Sequence, residues 1–434
     1  MTDSTNKQKL PDITISNELH RRSEGLIPAY SQTLAKGPTQ HVNGVAPKYL
    51  KRGKGAKVWD VDGNEFLDYN IGIGPISLGY CYPEVDDAIR QQLINGITFS
   101  LTNPLEVELS ELVRDVVPNA ESVRISKTGA DVTSAAVRVS RAFTGRDKIL
   151  CCGYHGWHDW YIGLTSRKAG VPQDVINLVE PINYNDIESV KEKLSKDVAC
   201  VILEPMIFDF PENDFLKELQ KLCEANGTLL IFDEMWTGFR LALGGGQEYF
   251  GVTPDLACYS KAIANGMPIS VLTGRKDVMR LFDEEVFFFT TFGGEALSLA
   301  AAIATIHEIR DNKVTEYLAK TGERLISGYN EIATELNIDG FTRCKGHPAR
   351  SIVVFDESAG NPLHLKSLVQ QELIRHGILW SGFHNICFSH TADEVNDTLS
   401  AYRDVLTTLK NAVENNCVLD MLKGQPVQPV FRKT

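Results

Sequence analysis

The rhythm of apolar and polar positions changes along the chain. Residues 1–20 carry no sustained pattern and read as loosely ordered. AKVWDVDGNEFLDYN (56–70) alternates apolar and polar positions around Asp62 and Gly63, the pattern of a hairpin. PEVDDAIRQQLING (83–96) and PLEVELSELVRDVVP (104–118) have the spacing of amphipathic helices, closed by Gly and by Pro. From about 120 onward short apolar runs without alternation take over: SVRIS (122–126), KILCCG (148–153), VACVILEP (198–205), TLLIFDEM (228–235) and LACYS (256–260). Helical segments interleave with them, among them DVTSAAVRVSRAFTG (131–145) and DFLKELQKLCEANG (214–227). Strand, helix, strand at this spacing predicts parallel βαβ units. SLAAAIATIHEIRDN (298–312) reads as a long helix, and beyond about 320 mixed helices and short strands such as RSIVVFD (350–356) predict a smaller α+β unit. The division expected is 1–95 as an N-terminal segment, 96–320 as a large domain and 321–434 as a C-terminal small domain.

Composition narrows the class of partner. The 434 residues are 43% hydrophobic and 23% charged, with a formal net charge of −12. The only basic stretch, KYLKRGKGAK (48–57), is Gly-punctuated and reads as a solvated turn, so no nucleic-acid partner is expected. Nine cysteines without a C-x2-C pair argue against a disulfide framework and a zinc ribbon, and no metal is expected. The N-terminus lacks an apolar signal segment and no run is long enough to span a bilayer. The expectation is a cytoplasmic, reducing-compartment protein with no membrane partner.

Candidate chemistry sits where apolar runs end. Asp233 and Glu234 follow IF without a break, and acids are costly at the end of a buried run unless something pairs with them. Lys261 directly follows LACYS, so it too leaves a strand end. A lysine in apolar surroundings is a nucleophile toward aldehydes. KTGAD (127–131) joins a strand to a helix start at Gly129, where free N–H groups and the helix dipole favour a phosphate. GYHGWHDW (153–160) offers aromatic faces after a strand. Each feature alone has an ordinary structural explanation. An aldehyde-binding amine, an acid, a phosphate cradle and an aromatic wall together match the needs of pyridoxal 5'-phosphate (PLP).

From about 45 to 400 the chain resembles the class III aminotransferases of PLP fold type I, and especially glutamate-1-semialdehyde aminomutase and its relatives. The blocks that carry the likeness are VWDVDGNEFLDYNIGIGPISLGYCYPEV, VRISKTGADVTSAAVRVSRAFTGRDKI, IFDEMWTGFR, PDLACYSKAIANGMPI and TTFGGEALSLAAAIATI. The resemblance implies an α/β fold. Its large domain would have a mainly parallel central sheet, and its smaller α+β domain would be built from the N- and C-terminal segments. It implies Lys261 as the Schiff-base lysine and Asp233 on the pyridine nitrogen. Gly129, Ala130 and Thr128 would bind the phosphate, Tyr154 and Met235 would flank the ring, and Thr291 would reach the neighbouring subunit of a homodimer with a shared active site. Glu234 belongs to the motif without an assigned role.

The expected substrate pocket is shaped by Lys36, Tyr30, Trp157 and His384, and two departures from the family pattern, at Lys36 and His384, fall in it. Ala130 and Asp131 replace a hydroxyl residue and Glu in the phosphate loop. IPAYSQTLAKGP (27–38) places Lys36 where the mutase has a carboxylate-gripping Arg, and GFHNICFSH (382–390) places His384 where it has an acid. The variant resembles enzymes of polysaccharide, amino-sugar and aminoglycoside pathways. The expected activity is transfer of an amino group from a small donor, in such enzymes usually L-glutamate, to a keto or aldehyde acceptor. An aminomutase is the first alternative. A non-catalytic sugar- or nucleotide-binding protein is the second, although GIGPIS (72–77) lacks the third glycine of a dinucleotide fingerprint.

Overall fold

A computed structural model describes residues 9–429, so the outermost part of the loosely patterned N-terminus lies outside the described residues. Within them Thr14–Ser23 is an α-helix, which short-range patterning did not predict. The chain forms two compact units. One spans Pro83–Glu316, and the other combines the residues up to Tyr82 with those from Tyr317 on. Helix Pro83–Asn95 therefore belongs to the central unit, where the sequence division had placed it in the N-terminal segment.

The central unit is built on a seven-stranded sheet in the order 122–126, 270–274, 256–259, 229–233, 198–203, 148–152, 179–181. Ser270–Gly274 runs antiparallel to both of its neighbours, and the other pairings are parallel. Every residue of the strands Val198–Leu203, Leu229–Asp233, Leu256–Tyr259 and Ser270–Gly274 is buried. Sheets covered on both faces require this, and it explains why these runs are apolar without alternation. Helix Gly129–Thr144 packs Val132, Ala135, Ala136 and Val139 against strand residues such as Ile149, Cys200, Ile202 and Ile231. Because Ser270–Gly274 reverses direction, Ser122–Ser126 points the same way as the parallel strands. The carboxyl ends of 122–126, 148–152, 198–203, 229–233 and 256–259 thus share one edge, the edge at which open α/β sheets bind ligands.

In the outer unit the predicted hairpin forms as Lys57–Asp60 against Glu65–Asp68. Strand Ile378–Leu379 pairs in parallel with Glu65–Asp68, so both chain ends contribute to one sheet. A second sheet holds Thr342–His347, Arg350–Phe355 and Phe383–Asn385. All nine cysteines are free thiols. Among the described residues no helix is long and apolar enough to cross a membrane, and no His/Cys/Asp/Glu group could hold a metal ion.

Candidate active site

Four consecutive residues leave the central strand Leu229–Asp233, and each meets a different wall. Asp233 is fully buried. Its Oδ2 lies 2.8 Å from Nδ1 of His155, which is itself buried, and its Oδ1 accepts the Met235 N–H at 3.1 Å. The other ring nitrogen, Nε2 of His155, lies 3.0 Å from the Cys152 carbonyl. A carbonyl and a carboxylate are both acceptors, so each ring nitrogen faces an acceptor. The cost of burying Asp233 is therefore offset inside the protein by a histidine 78 positions away in sequence.

Glu234 is the second buried acid, and its partners are quite different. Its Oε2 accepts from the Gly246 N–H at 2.7 Å and from the Thr237 hydroxyl, and its Oε1 accepts from the Gln247 N–H at 2.9 Å. Burial, reinforced by the charge of Asp233, still pushes its carboxyl up to about 7. It ties the 237–247 segment to the strand.

Met235 closes on the phosphate loop. A Cβ at Gly129 would lie 2.8 Å from the Met235 sulfur, so any other residue at this helix start would displace that side chain. Thr128 caps helix Gly129–Thr144 in a capping box with Asp131: the Thr128 hydroxyl accepts from the Asp131 N–H, and Asp131 accepts from the Thr128 N–H at 2.8 Å. Asp131, which departs from the family pattern, is thus a cap. The N–H groups of Gly129 and Ala130 occupy the first helical positions, which have no intrahelical acceptor. The helix begins at Gly129, two residues before the apolar periodicity starts, because the cap and not the periodicity sets its end.

Trp236, the fourth residue, meets Lys261. The Lys261 Nζ lies 3.6 Å from the Trp236 ring centroid. The register brings the two strand ends side by side: Asp233 pairs with Cys258, three residues before Lys261. Lys261 has a left-handed backbone, φ +48°, which is uncommon for lysine.

The loop after strand Lys148–Cys152 supplies the aromatic wall. Tyr154 is 51% exposed. Burial and then the charge of Asp233 push its phenol up. Gly156 (φ +105°) sits directly on the helix start, where a Cβ would lie 2.8 Å from that of Ala130. Trp157, 69% exposed, stands edge-on to His158 in the same loop.

Lys127 and Glu295 form a largely buried ion pair of 2.9 Å beside this loop. Burial opposes the charge on Glu295, but the Ser298 hydroxyl and Lys127 hold its carboxyl below the ordinary value. The pair anchors the segment carrying Thr291 next to the phosphate loop, while Thr291 itself is exposed. Lys127, Trp236 and Glu295 lie in the motif blocks and His155 in the aromatic segment 153–160, but their pairings are long-range and no local spacing signals them.

The remaining predicted positions lie in the outer unit. Tyr30 (φ +59°) has its ring 4.3 Å from that of His20, and Lys36 ends an exposed 3-10 turn. His384 is fully buried. Its Nε2 is 2.6 Å from the Tyr402 hydroxyl and its Nδ1 3.1 Å from that of Ser351, so both nitrogens have partners inside the protein.

The sheet edge fits pyridoxal phosphate. It offers an amine at Lys261, a buried carboxylate at Asp233, a helix start that Gly129 keeps free of side chain, and the faces of Tyr154 and Met235. A family model for aminotransferase class-III matches residues 40–388. A 3-aminobutyryl-CoA aminotransferase from Cloacimonas acidaminovorans is 34% identical over 409 residues, 91% of this chain and 97% of that protein. A glutamate-1-semialdehyde 2,1-aminomutase from Archaeoglobus fulgidus is 40% identical over 304 residues, 66% of this chain and 73% of its own. The FumI protein of Sphingopyxis sp. MTA144, solved with PLP, superposes with a TM-score of 0.86 at 27% identity, covering 95% of this chain and 98% of that one.

Proposed function

The chain belongs to the class-III aminotransferases, enzymes that use PLP, and from that premise we propose that it moves an amino group from L-glutamate to a polar keto or aldehyde acceptor. One observation carries the site assignment: Asp233 and Lys261 leave adjacent strand ends, with the Gly129 helix start at the same edge. Bound PLP supplies an aldehyde that takes up the amino group and a ring that withdraws electrons from the reacting carbon.

The protein's own groups do the rest. Lys261 would hold the cofactor through its amine, and its Nζ would take and return the proton at the donor's α-carbon. Asp233 holds a proton on the ring nitrogen, because opposite charge favours the charged form. His155 fixes the plane of that carboxylate. The N–H groups of Gly129 and Ala130, with the Thr128 hydroxyl, bind the phosphate. Tyr154 and Met235 flank the ring. Lys36, Tyr30 and Trp157 are proposed for the substrate; Lys36 gives a point charge where a planar fork would grip a carboxylate in two places.

We propose two acceptor classes: amino-sugar or polysaccharide precursors, and 3-oxoacyl compounds of the kind suggested by the name of the Cloacimonas relative. A screen of carbonyl acceptors with glutamate as donor, read by mass spectrometry, tests both. No aminated product from either class overturns the assignment. The aminomutase relatives favour a second reading, intramolecular transfer. Release of 2-oxoglutarate from glutamate supports the first reading, and rearrangement of an amino aldehyde without keto-acid release supports the second. Membership of an enzyme family leaves no room for the non-catalytic reading.

We also propose a homodimer in the cytoplasm. In the central unit Phe287, Phe289 and Phe292 are 71%, 58% and 56% exposed, next to Thr291. The run VFFF (286–289) alternates, with Val286 buried and Phe288 packed on the core, so its outward face needs a partner. Thr291 would then meet the phosphate site of the second copy. Sedimentation should give twice the chain mass, and a monomer refutes the assembly. The nine free thiols support a reducing compartment.

A further inference from the structure

We propose that Trp236 is a positioning residue for Lys261, a ring on which the ammonium rests whenever the amine is not bonded to the cofactor. This rests on the reading of Lys261 as the cofactor lysine. Nζ lies 3.6 Å from the ring centroid, within the distance at which an aromatic face attracts a cation, and tryptophan is the strongest such face. The flanking backbone is committed to the contact. Met235 packs on Gly129, beside the turn that carries Trp236. On the neighbouring strand, Lys261 turns into a 3-10 segment with φ +48°. A non-glycine residue keeps such a conformation only where its surroundings over-determine it.

The chemistry of amino transfer gives this contact a use. When the donor displaces Lys261, the freed amine takes the proton that the substrate carbon loses and must stay within reach to return it. A flexible four-carbon chain would otherwise sample many rotamers. The indole face holds the side chain near the reacting carbon and stabilises its protonated state. The titratable groups on the elements packed around this edge are Asp233 at its own strand end, His155 and Tyr154 after strand 148–152, and Glu204 after strand 198–203, which accepts the Tyr154 N–H at 3.1 Å. Trp236 is uncharged, so replacing it alters none of them directly.

The test uses the full chain loaded with pyridoxamine phosphate, in which Lys261 is free. Brief acylation with acetic anhydride across a pH series, followed by peptide mass spectrometry, gives the pH at which Lys261 becomes half-reactive. Trp236→Leu should lower that midpoint by about one pH unit. Trp236→Tyr and Trp236→Phe should fall between, in that order, with circular dichroism confirming the fold. If Trp236→Leu fails to fold, the Phe variant still decides: a lowered midpoint supports the proposal, and an unchanged or raised one overturns it. A role in packing alone would alter melting temperature without ordering the midpoints by ring type. Separately, borohydride reduction of the PLP-loaded wild type should leave the cofactor on Lys261. Its absence there removes the cofactor-lysine reading, whereas an unmoved acylation midpoint removes only the role of Trp236.

Discussion

The strand exit at 233–236 and the strand Phe383–Asn385 both bury ionisable side chains, with opposite consequences. At the first, Asp233 is hydrogen-bonded to His155 at an edge where strand ends and a helix start meet. At the second, His384 is enclosed by the Tyr402 and Ser351 hydroxyls and the rings of Tyr69 and Trp380. Burial pushes His384 down to about 3 and His390 down to about 4. A buried group at a sheet edge with unspent hydrogen-bonding capacity is available for chemistry. One whose two nitrogens are already met by hydroxyls has less capacity left for a ligand.

Breaking the first region should have the largest effect. Lys261→Ala should abolish covalent cofactor retention, read by mass after borohydride reduction, and reduce turnover by at least about 10³-fold. Unchanged turnover removes the catalytic assignment. Asp233→Asn keeps the shape but loses the charge, and kcat should fall on the order of 10²-fold in steady-state assays with the fold intact.

The neighbouring acid sharpens the contrast. Glu234→Ala leaves the Gly246 and Gln247 N–H groups without their acceptor and should cost about 3 kcal/mol in denaturant unfolding, while turnover per folded molecule changes only a few-fold. A large kcat loss at unchanged stability would place Glu234 in the chemistry.

The smallest effect is in the pH dependence of melting temperature. The folded-state values of His384 and His390 lie below 6.5, so their contribution is present above 6.5 and lost as pH falls through about 4 and about 3. Glu234 is raised from 4.5, so its contribution is complete below 4.5 and lost as pH rises through about 7. His384→Gln should flatten the acid limb, and Glu234→Gln the limb between 4.5 and 7. An acid limb of unchanged slope in His384→Gln means that this histidine does not drive the loss.

Much of this was legible in the chain. Uninterrupted apolar runs announced buried parallel strands, and IFDEM, LACYSK and KTGAD put an acid, an amine and an anion cradle at strand exits, because the end of a run is a local property. Tertiary structure decided which partners those groups meet. His155 reaches Asp233 across 78 positions, and Lys127 pairs with Glu295 across 168. His384 turned inward because Tyr402 and Ser351 lie beside it in the folded unit. Periodicity records which side of an element is buried. Only packing determines what waits on the other side, since hydrogen bonds and ring contacts depend on ångström distances between segments that sequence order leaves unrelated.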